Sequence, residues 1–195
     1  MKRLIPILIV FLYQTSFAQQ LSYFDSIMLH RKEYIGNHEV FKNNVYGRQM
    51  FRFFKPDSRY RINAKFILAE DTSTVTLATY SGKSKSFLLY GYANFRLRGK
   101  KNRLYFYRSR KLMTEEKYKY DLFVPFTDKT SGKESYACRY MDLDMRDIRD
   151  GMIVIDFNKC YNPYCAYGPG WNCPIPPSVN GLRIAVKAGE MDYHK

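Results

Sequence analysis

The chain has 195 residues, of which 32 are Lys or Arg and 18 are Asp or Glu, for a net charge of +14 with histidine neutral. A hydrophobic fraction of 46% with 17% aromatics excludes a disordered chain, and the length suits one ordinary domain that buries its own core. So basic a balance favours anionic partners without choosing among lipid surfaces, acidic glycans and nucleic acid.

Lys2 and Arg3 precede an apolar run from Leu4 to Tyr13, and Ser16-Phe17-Ala18 sets small residues three and one places before a cut. These are the parts of a secretory signal peptide spanning residues 1–18. The run is about half the ~20 residues of a spanning helix, and no later stretch is apolar for longer than a strand. No transmembrane segment is therefore expected after cleavage, and no cysteine follows Ala18 to carry a lipid. The mature chain, from Gln19, has 177 residues and a net charge of about +12. It is expected secreted or periplasmic, where nucleic acid is the least available polyanion.

Leu21 to Tyr34 reads as a helix, with Ser22 and Asp25 as its cap and Phe24, Ile27, Met28, Arg31, Tyr34 and Ile35 at helical spacing. Gly36 and Asn37 end it. Residues 19–58 form this helix and a connecting segment, and residues 59–195 the β-rich body of the same single domain. From Arg59 the period becomes two, with Tyr60, Ile62, Ala64, Phe66 and Leu68 alternating against polar neighbours. Further strands are predicted at Thr74 to Tyr80, Lys85 to Arg98, Arg103 to Ser109, Tyr118 to Phe126, Tyr136 to Leu143, Met152 to Phe157 and Gly181 to Lys187. Polar turns separate the early ones, at Glu70 to Ser73, Ser81 to Ser84 and Gly99 to Asn102. The pattern predicts a mainly β (α+β) fold, an antiparallel meander curled into a barrel or roll with an N-terminal helix. In the longest strand Phe87, Leu89, Ala93, Phe95 and Leu97 share one face, while Tyr90 and Tyr92 share the other. There is no internal repeat.

Arg96, Arg98, Lys100, Lys101, Arg103, Arg108, Arg110 and Lys111 fall within sixteen residues that hold no acid. On a hairpin they make a basic tongue with Tyr105 and Tyr107 between the charges, a surface for polyanions. A solvated positive edge that discourages strand pairing has the same look. Arg96, Arg98, Lys100, Lys101 and Arg103 are the candidates for this role.

Asp156 to Pro174 gathers three of the four cysteines and the only tryptophan. In an exported chain disulfides are the default. Cys160, Cys165 and Cys173 lack the close pairs of a zinc ribbon, and His30, His38 and His194 are remote in sequence, so zinc is the weaker reading. No metal and no cofactor is expected. If the strands flanking Asp147 to Gly151 pair as a hairpin about position 149, Cys138 opposes Cys160. Cys165 then pairs with Cys173.

The chain resembles the bacterial domain-of-unknown-function family 1684, most specifically from Pro125 onward and more loosely back to the aromatic segment before Pro56, which together cover most of the mature chain. The resemblance rests on Pro125-Phe126, Asp128, Thr130, Ser131, Gly132 and Tyr136; on Arg139-Tyr140 and Asp142-Leu143; and on Asp156-Phe157-Asn158, Tyr161-Asn162-Pro163, Cys165-Ala166-Tyr167, Cys173-Pro174, Pro176-Pro177, Asn180 and Ala188-Gly189-Glu190. No activity comes with it. Cys165 and Cys173 match family positions, whereas Cys138 and Cys160 fall where the family usually has small residues, which implies one shared and one private bridge.

The same hairpin register would gather Asp128, Ser131, Arg139, Asp156, Asn158 and Asn162 into one loop cluster near Tyr136 and Trp171. These residues are the candidates for binding a small polar or anionic ligand. Asp and Asn beside prolines also close turns on their own backbone, and an Arg can simply pair with an Asp. The main functional expectation is a non-catalytic, monomeric binding or structural module of the cell envelope. A small hydrolase is the alternative, with Asp128 and Asp156 as acid and base and Arg139 steadying negative charge. A surface binder acting through the basic tongue is the third.

Overall fold

The computed structural model of the protein describes residues 22–194, so the expected signal peptide lies outside the described residues. Two helices, α1 (Tyr23–Gly36) and α2 (Val45–Gln49), precede seven strands: β1 (Arg61–Leu68), β2 (Thr74–Ala78), β3 (Ser84–Leu97), β4 (Lys100–Ser109), β5 (Asp121–Phe126), β6 (Arg139–Asp144) and β7 (Met152–Asp156). All pairings between them are antiparallel, in the order β6-β5-β4-β3-β1-β7, with β2 also on β3. The sheet curls into a half-barrel. β3 is long enough to pair with β2 through Ser84 to Leu88 and with β1 through Gly91 to Asn94.

The β3 to β4 turn is tighter than predicted. Leu97 already faces Lys100, leaving Arg98 (φ 50°) and Gly99 (φ 76°) as a two-residue turn whose positive dihedrals suit the twist of the strands. A bulge between Leu89 and Gly91 corrects the expected single apolar face of β3. Each residue beyond it changes side. Ala93, Phe95 and Leu97 join the main core with Leu104, Phe106, Val124, Phe126, Ile155 and Phe157, while Phe87 packs on the opposite side with Leu77 and Tyr107. Gly91 is required there, since a Cβ would lie 2.5 Å from the Ile67 carbonyl oxygen. Phe106, Phe126 and Phe157 are fully buried, and each contributes about 1.5–3 kcal/mol.

Two other expectations are corrected. β6 and β7 do not form a hairpin: β7 crosses to pair with β1, and β6 pairs with β5. The predicted eighth strand, Gly181 to Lys187, keeps its alternation, with Leu182, Ile184 and Val186 buried, but forms no ladder. Its first half is held by main-chain bonds to the end of β5 and beyond, Leu182 N–H to the Thr127 carbonyl at 2.8 Å and Lys129 N–H to the Ile184 carbonyl at 2.9 Å, and side chains satisfy the second half: the Val186 N–H donates to Asp128 Oδ1 at 3.2 Å and the Lys187 N–H to the Tyr60 hydroxyl at 3.3 Å. Asn180 acts similarly where β4 and β5 splay apart. Its amide accepts from the Tyr105 N–H at 2.8 Å and donates to the carbonyls of Tyr105 (2.9 Å) and Pro125 (2.8 Å).

α1 begins at the predicted cap, where Ser22 Oγ accepts from the Asp25 N–H. Its buried face is narrower than its spacing suggested. Ile27 and Arg31 are buried, but Phe24 and Met28 are exposed.

Candidate functional site

Asp128 follows β5 and folds its own backbone into a turn. Its Oδ1 accepts from the Thr130 N–H at 2.6 Å, and its N–H donates to Ser131 Oγ at 3.0 Å. Arg139 opens β6, and its side chain is wholly buried, as is that of Asp128. The Arg139 Nη2 donates to Asp128 Oδ2 (2.5 Å), Thr130 Oγ1 (3.2 Å) and the Val186 carbonyl (2.9 Å); Nη1 donates to the Ala188 carbonyl (2.5 Å). Burial is the largest single influence on this guanidinium and opposes its charge. The attractions of Cys160, Asp128 and Glu190 outweigh it and raise the pKa. The guanidinium thus does for residues 186–188 what a neighbouring strand does elsewhere. Neither group of the pair meets solvent, so neither can act on a ligand arriving from it.

Glu190, which sequence reasoning did not select, anchors the same segment. Its Oε2 accepts from the Asn162 N–H (2.9 Å) and the Tyr34 hydroxyl (3.2 Å), and its Oε1 from the Tyr167 hydroxyl (2.7 Å). Asn162 is buried and donates its amide to the Met191 carbonyl at 2.7 Å. Burial pushes the Glu190 carboxyl up to about 7 against these donors. Beside it His38 sits among the rings of Tyr34, Phe41, Phe51, Tyr164 and Tyr167, and burial, with Arg48, lowers its pKa to about 4.

Asp156 and Asn158 lie in a third place, where β7 meets α1. The Tyr23 hydroxyl donates to both Asp156 oxygens, at 2.9 and 3.0 Å. Asn158 is buried; its Nδ2 donates to the Asp57 carbonyl at 2.9 Å, and its Oδ1 accepts from the Asp57 N–H at 3.0 Å. The expected loop cluster is therefore divided. Ser131 stays with Asp128 and Arg139, Asn162 belongs to Glu190, and Asp156 and Asn158 fasten the N-terminal region. Tyr136 donates to the Cys165 carbonyl at 3.3 Å, and Trp171 packs edge-on against Tyr164 at 4.8 Å. The register behind the cluster fails because Tyr140 pairs with Tyr161, where the expected hairpin opposes it with Asn158.

That slip of three residues also separates Cys138 from Cys160, since an odd slip reverses the side each residue faces. All four cysteines are free thiols. Cys138 Sγ lies 3.6 Å from the Tyr80 hydroxyl, and Cys160 Sγ lies 3.5 Å from the Ala188 carbonyl. Burial raises both thiols to about 11. Cys165 and Cys173 are neighbours, with the Cys165 N–H donating to Cys173 Sγ at 3.2 Å. Among the described residues no group of three or more His, Cys, Asp or Glu side chains could hold a metal ion.

The basic tongue is the β3 to β4 hairpin, and Arg96, Arg98, Lys100, Lys101 and Arg103 are exposed on it. Arg103 is held over the Tyr92 ring at 4.2 Å and donates to Asn94 Oδ1 at 2.8 Å. Arg98, at the tip, lies 5.5 Å over the Tyr60 ring and borders an open cleft of about 570 Å³. Lys55, Arg59 and Lys187, none selected from sequence, complete its cationic lining, and Asp57 is its one carboxylate. Asp57 is paired with Arg59 at 2.7 Å and Lys187 with Glu134 at 2.8 Å, whereas Lys55 and Arg98 make no ion pair among the described residues. No periodicity joins these positions, so only their charge sign hinted at the cleft.

Together these features define a curled antiparallel half-barrel with Asp128, Arg139, Asn158, Asn162 and Glu190 buried and a basic cleft open beside the β3 to β4 turn. Residues 49–191 match the sequence profile of the family described as "Protein of unknown function (DUF1684)", and the chain belongs to that family. It is similar to an uncharacterised protein of Haloarcula marismortui solved by solution NMR, at 32% identity over 85% of this chain and 92% of that one, with a TM-score of 0.62. No curated protein matches the chain.

Proposed function

We propose that this protein is an exported, monomeric, non-catalytic module of the cell envelope that binds an anionic ligand in the cleft beside the β3 to β4 turn. The carrying observation is the lining of that cleft: Lys55, Arg59, Arg98 and Lys187 against the single carboxylate of Asp57, with the Tyr60 ring as an apolar wall. Arg96, Lys100 and Lys101 extend the positive field along the same hairpin. The hydrolase alternative finds little support in the geometry, because Asp128 is sealed against Arg139 and Asp156 is occupied with Tyr23 elsewhere. Export rests on the features of residues 1–18. In an oxidising compartment Cys165 and Cys173 are the pair whose placement supports a bridge, which would contribute about 2–4 kcal/mol.

The test is titration of the mature protein with heparin, as a sulfated probe, at rising salt, beside vesicles containing anionic phospholipid. Lys55→Gln with Arg98→Gln is expected to weaken binding by about tenfold or more and to flatten the salt dependence by about one counterion per cation removed. Equal binding by this variant and the parent would remove the cleft as the site.

A further inference from the structure

A second site lies under α1, where Arg31 carries a charge into the interior. The residue is only 6% exposed, yet its guanidinium makes no ion pair among the described residues. Its Nη2 donates to the Phe54 carbonyl at 2.9 Å, and its carbon lies 4.7 Å from the Phe53 ring centre. Its Nε is buried without a hydrogen-bond partner. Burying a charge without a counter-charge is among the costliest arrangements a protein can hold, because the desolvation has nothing to offset it.

Arg31 lines a small cavity with His30 and Lys159, and no acidic side chain lines it. The carboxylate that acts on Arg31 is Asp156, behind the weaker acids Cys160 and Tyr23, and it is already engaged by the Tyr23 hydroxyl and the Asn158 amide. Glu190 is engaged by Tyr34, Tyr167 and Asn162. Residues 1–21 contain neither Asp nor Glu, so that segment brings no carboxylate side chain. The protein surroundings thus supply three basic groups and withhold the negative one. Burial lowers the pKa of both His30 and Arg31, the response of cations in a site lacking a counter-charge.

We propose that this cavity is a binding site for one monovalent halide ion of chloride's size, held by the Arg31 guanidinium with His30 and Lys159 around it. Size selects the class. A volume of about 10 Å³ admits one particle near the size of water. Among common anions the halides come nearest to that size, while sulfate, phosphate and organic carboxylates are larger. The bound halide would tie α1 to the loop that follows β7 by neutralising the buried charge of Arg31.

Thermal unfolding of the mature protein in sodium chloride, sodium bromide and sodium gluconate at matched ionic strength tests this directly. Chloride and bromide are expected to raise Tm by several degrees to a plateau as the site fills, and gluconate is not. Arg31→Met should abolish the difference. Should that variant fail to fold, Lys159→Gln, at an exposed rim position, is expected to weaken the halide response and shift its midpoint to higher concentration. Lys55→Gln with Arg98→Gln should leave the response intact, which separates this site from the basic cleft. Crystals grown in bromide should show an anomalous peak beside Arg31. Equal Tm in chloride and gluconate, or no anomalous peak there, would overturn the proposal.

Discussion

Replacing Glu190 with Gln probes the buried carboxyl that holds the C-terminal segment. In the folded protein its pKa rises from 4.5 to about 7, because burial disfavours the charge more than Asn162, Tyr167 and Tyr34 favour it. Between these values the folded protein keeps a proton that the unfolded chain has released. Stability from this group is therefore fully present below pH 4.5 and is lost as pH rises through about 7. At about 1.36 kcal/mol per unit the loss is about 3 kcal/mol. Gln copies the protonated form, with an oxygen to accept the Asn162 N–H and an amide to donate to a tyrosine oxygen. Urea unfolding, followed by Trp171 fluorescence from pH 4.5 to about 8, gives the stability of both proteins. Glu190→Gln should gain on the wild type by about 3 kcal/mol across that range. His38 titrates with the opposite sign, its pKa lowered to about 4, but it is present in both proteins and cancels in the difference. A difference that stays constant with pH would refute the reasoning.

Three further substitutions test the scaffold. Arg139→Met strands the buried Asp128 carboxylate and the carbonyls of Val186 and Ala188, and should cost about 3–5 kcal/mol in chemical denaturation; adding Asp128→Leu should recover part of it. Asn180→Ala removes all three bonds across the gap between β4 and β5 and is expected to cost about 2–3 kcal/mol, with faster hydrogen exchange at the Tyr105 amide. Gly91→Ala forces a methyl against the Ile67 carbonyl and should lower stability by about 1–3 kcal/mol, visible as a drop in Tm.

Alternation of apolar and polar residues marks where seven strands lie, and Ser22 with Gly36 marks the helix, because both signals are local. Partner choice is not local. Met152 to Asp156 has the same pattern whether it returns to β6 or crosses to β1, and the closer partner was the natural expectation. The odd slip at Tyr140 and Tyr161 then parts Cys138 from Cys160. Arg139 was legible as a partner for Asp128 but not as a buried one, and Glu190 was not selected at all: charged residues read as surface, and nothing in the chain order shows that the carbonyls of Val186 and Ala188 wait around the guanidinium. Arg31 left a fainter trace. It falls on the apolar stripe of α1, a position where a charge is out of place unless something pairs with it.

The Arg139 junction also constrains the order in which this chain can be completed. Its partners are Asp128, eleven residues earlier, and the carbonyls of Val186 and Ala188, 47 and 49 residues later. Until the segment from Val186 to Ala188 exists, the guanidinium and carboxylate have no strand-like stretch to close over them, and sealing them inside is unfavourable. A polypeptide emerging amino end first therefore has little reason to consolidate its interior before that segment emerges. Such late closure leaves the first part of the chain open to solvent and to partners for as long as that segment is missing.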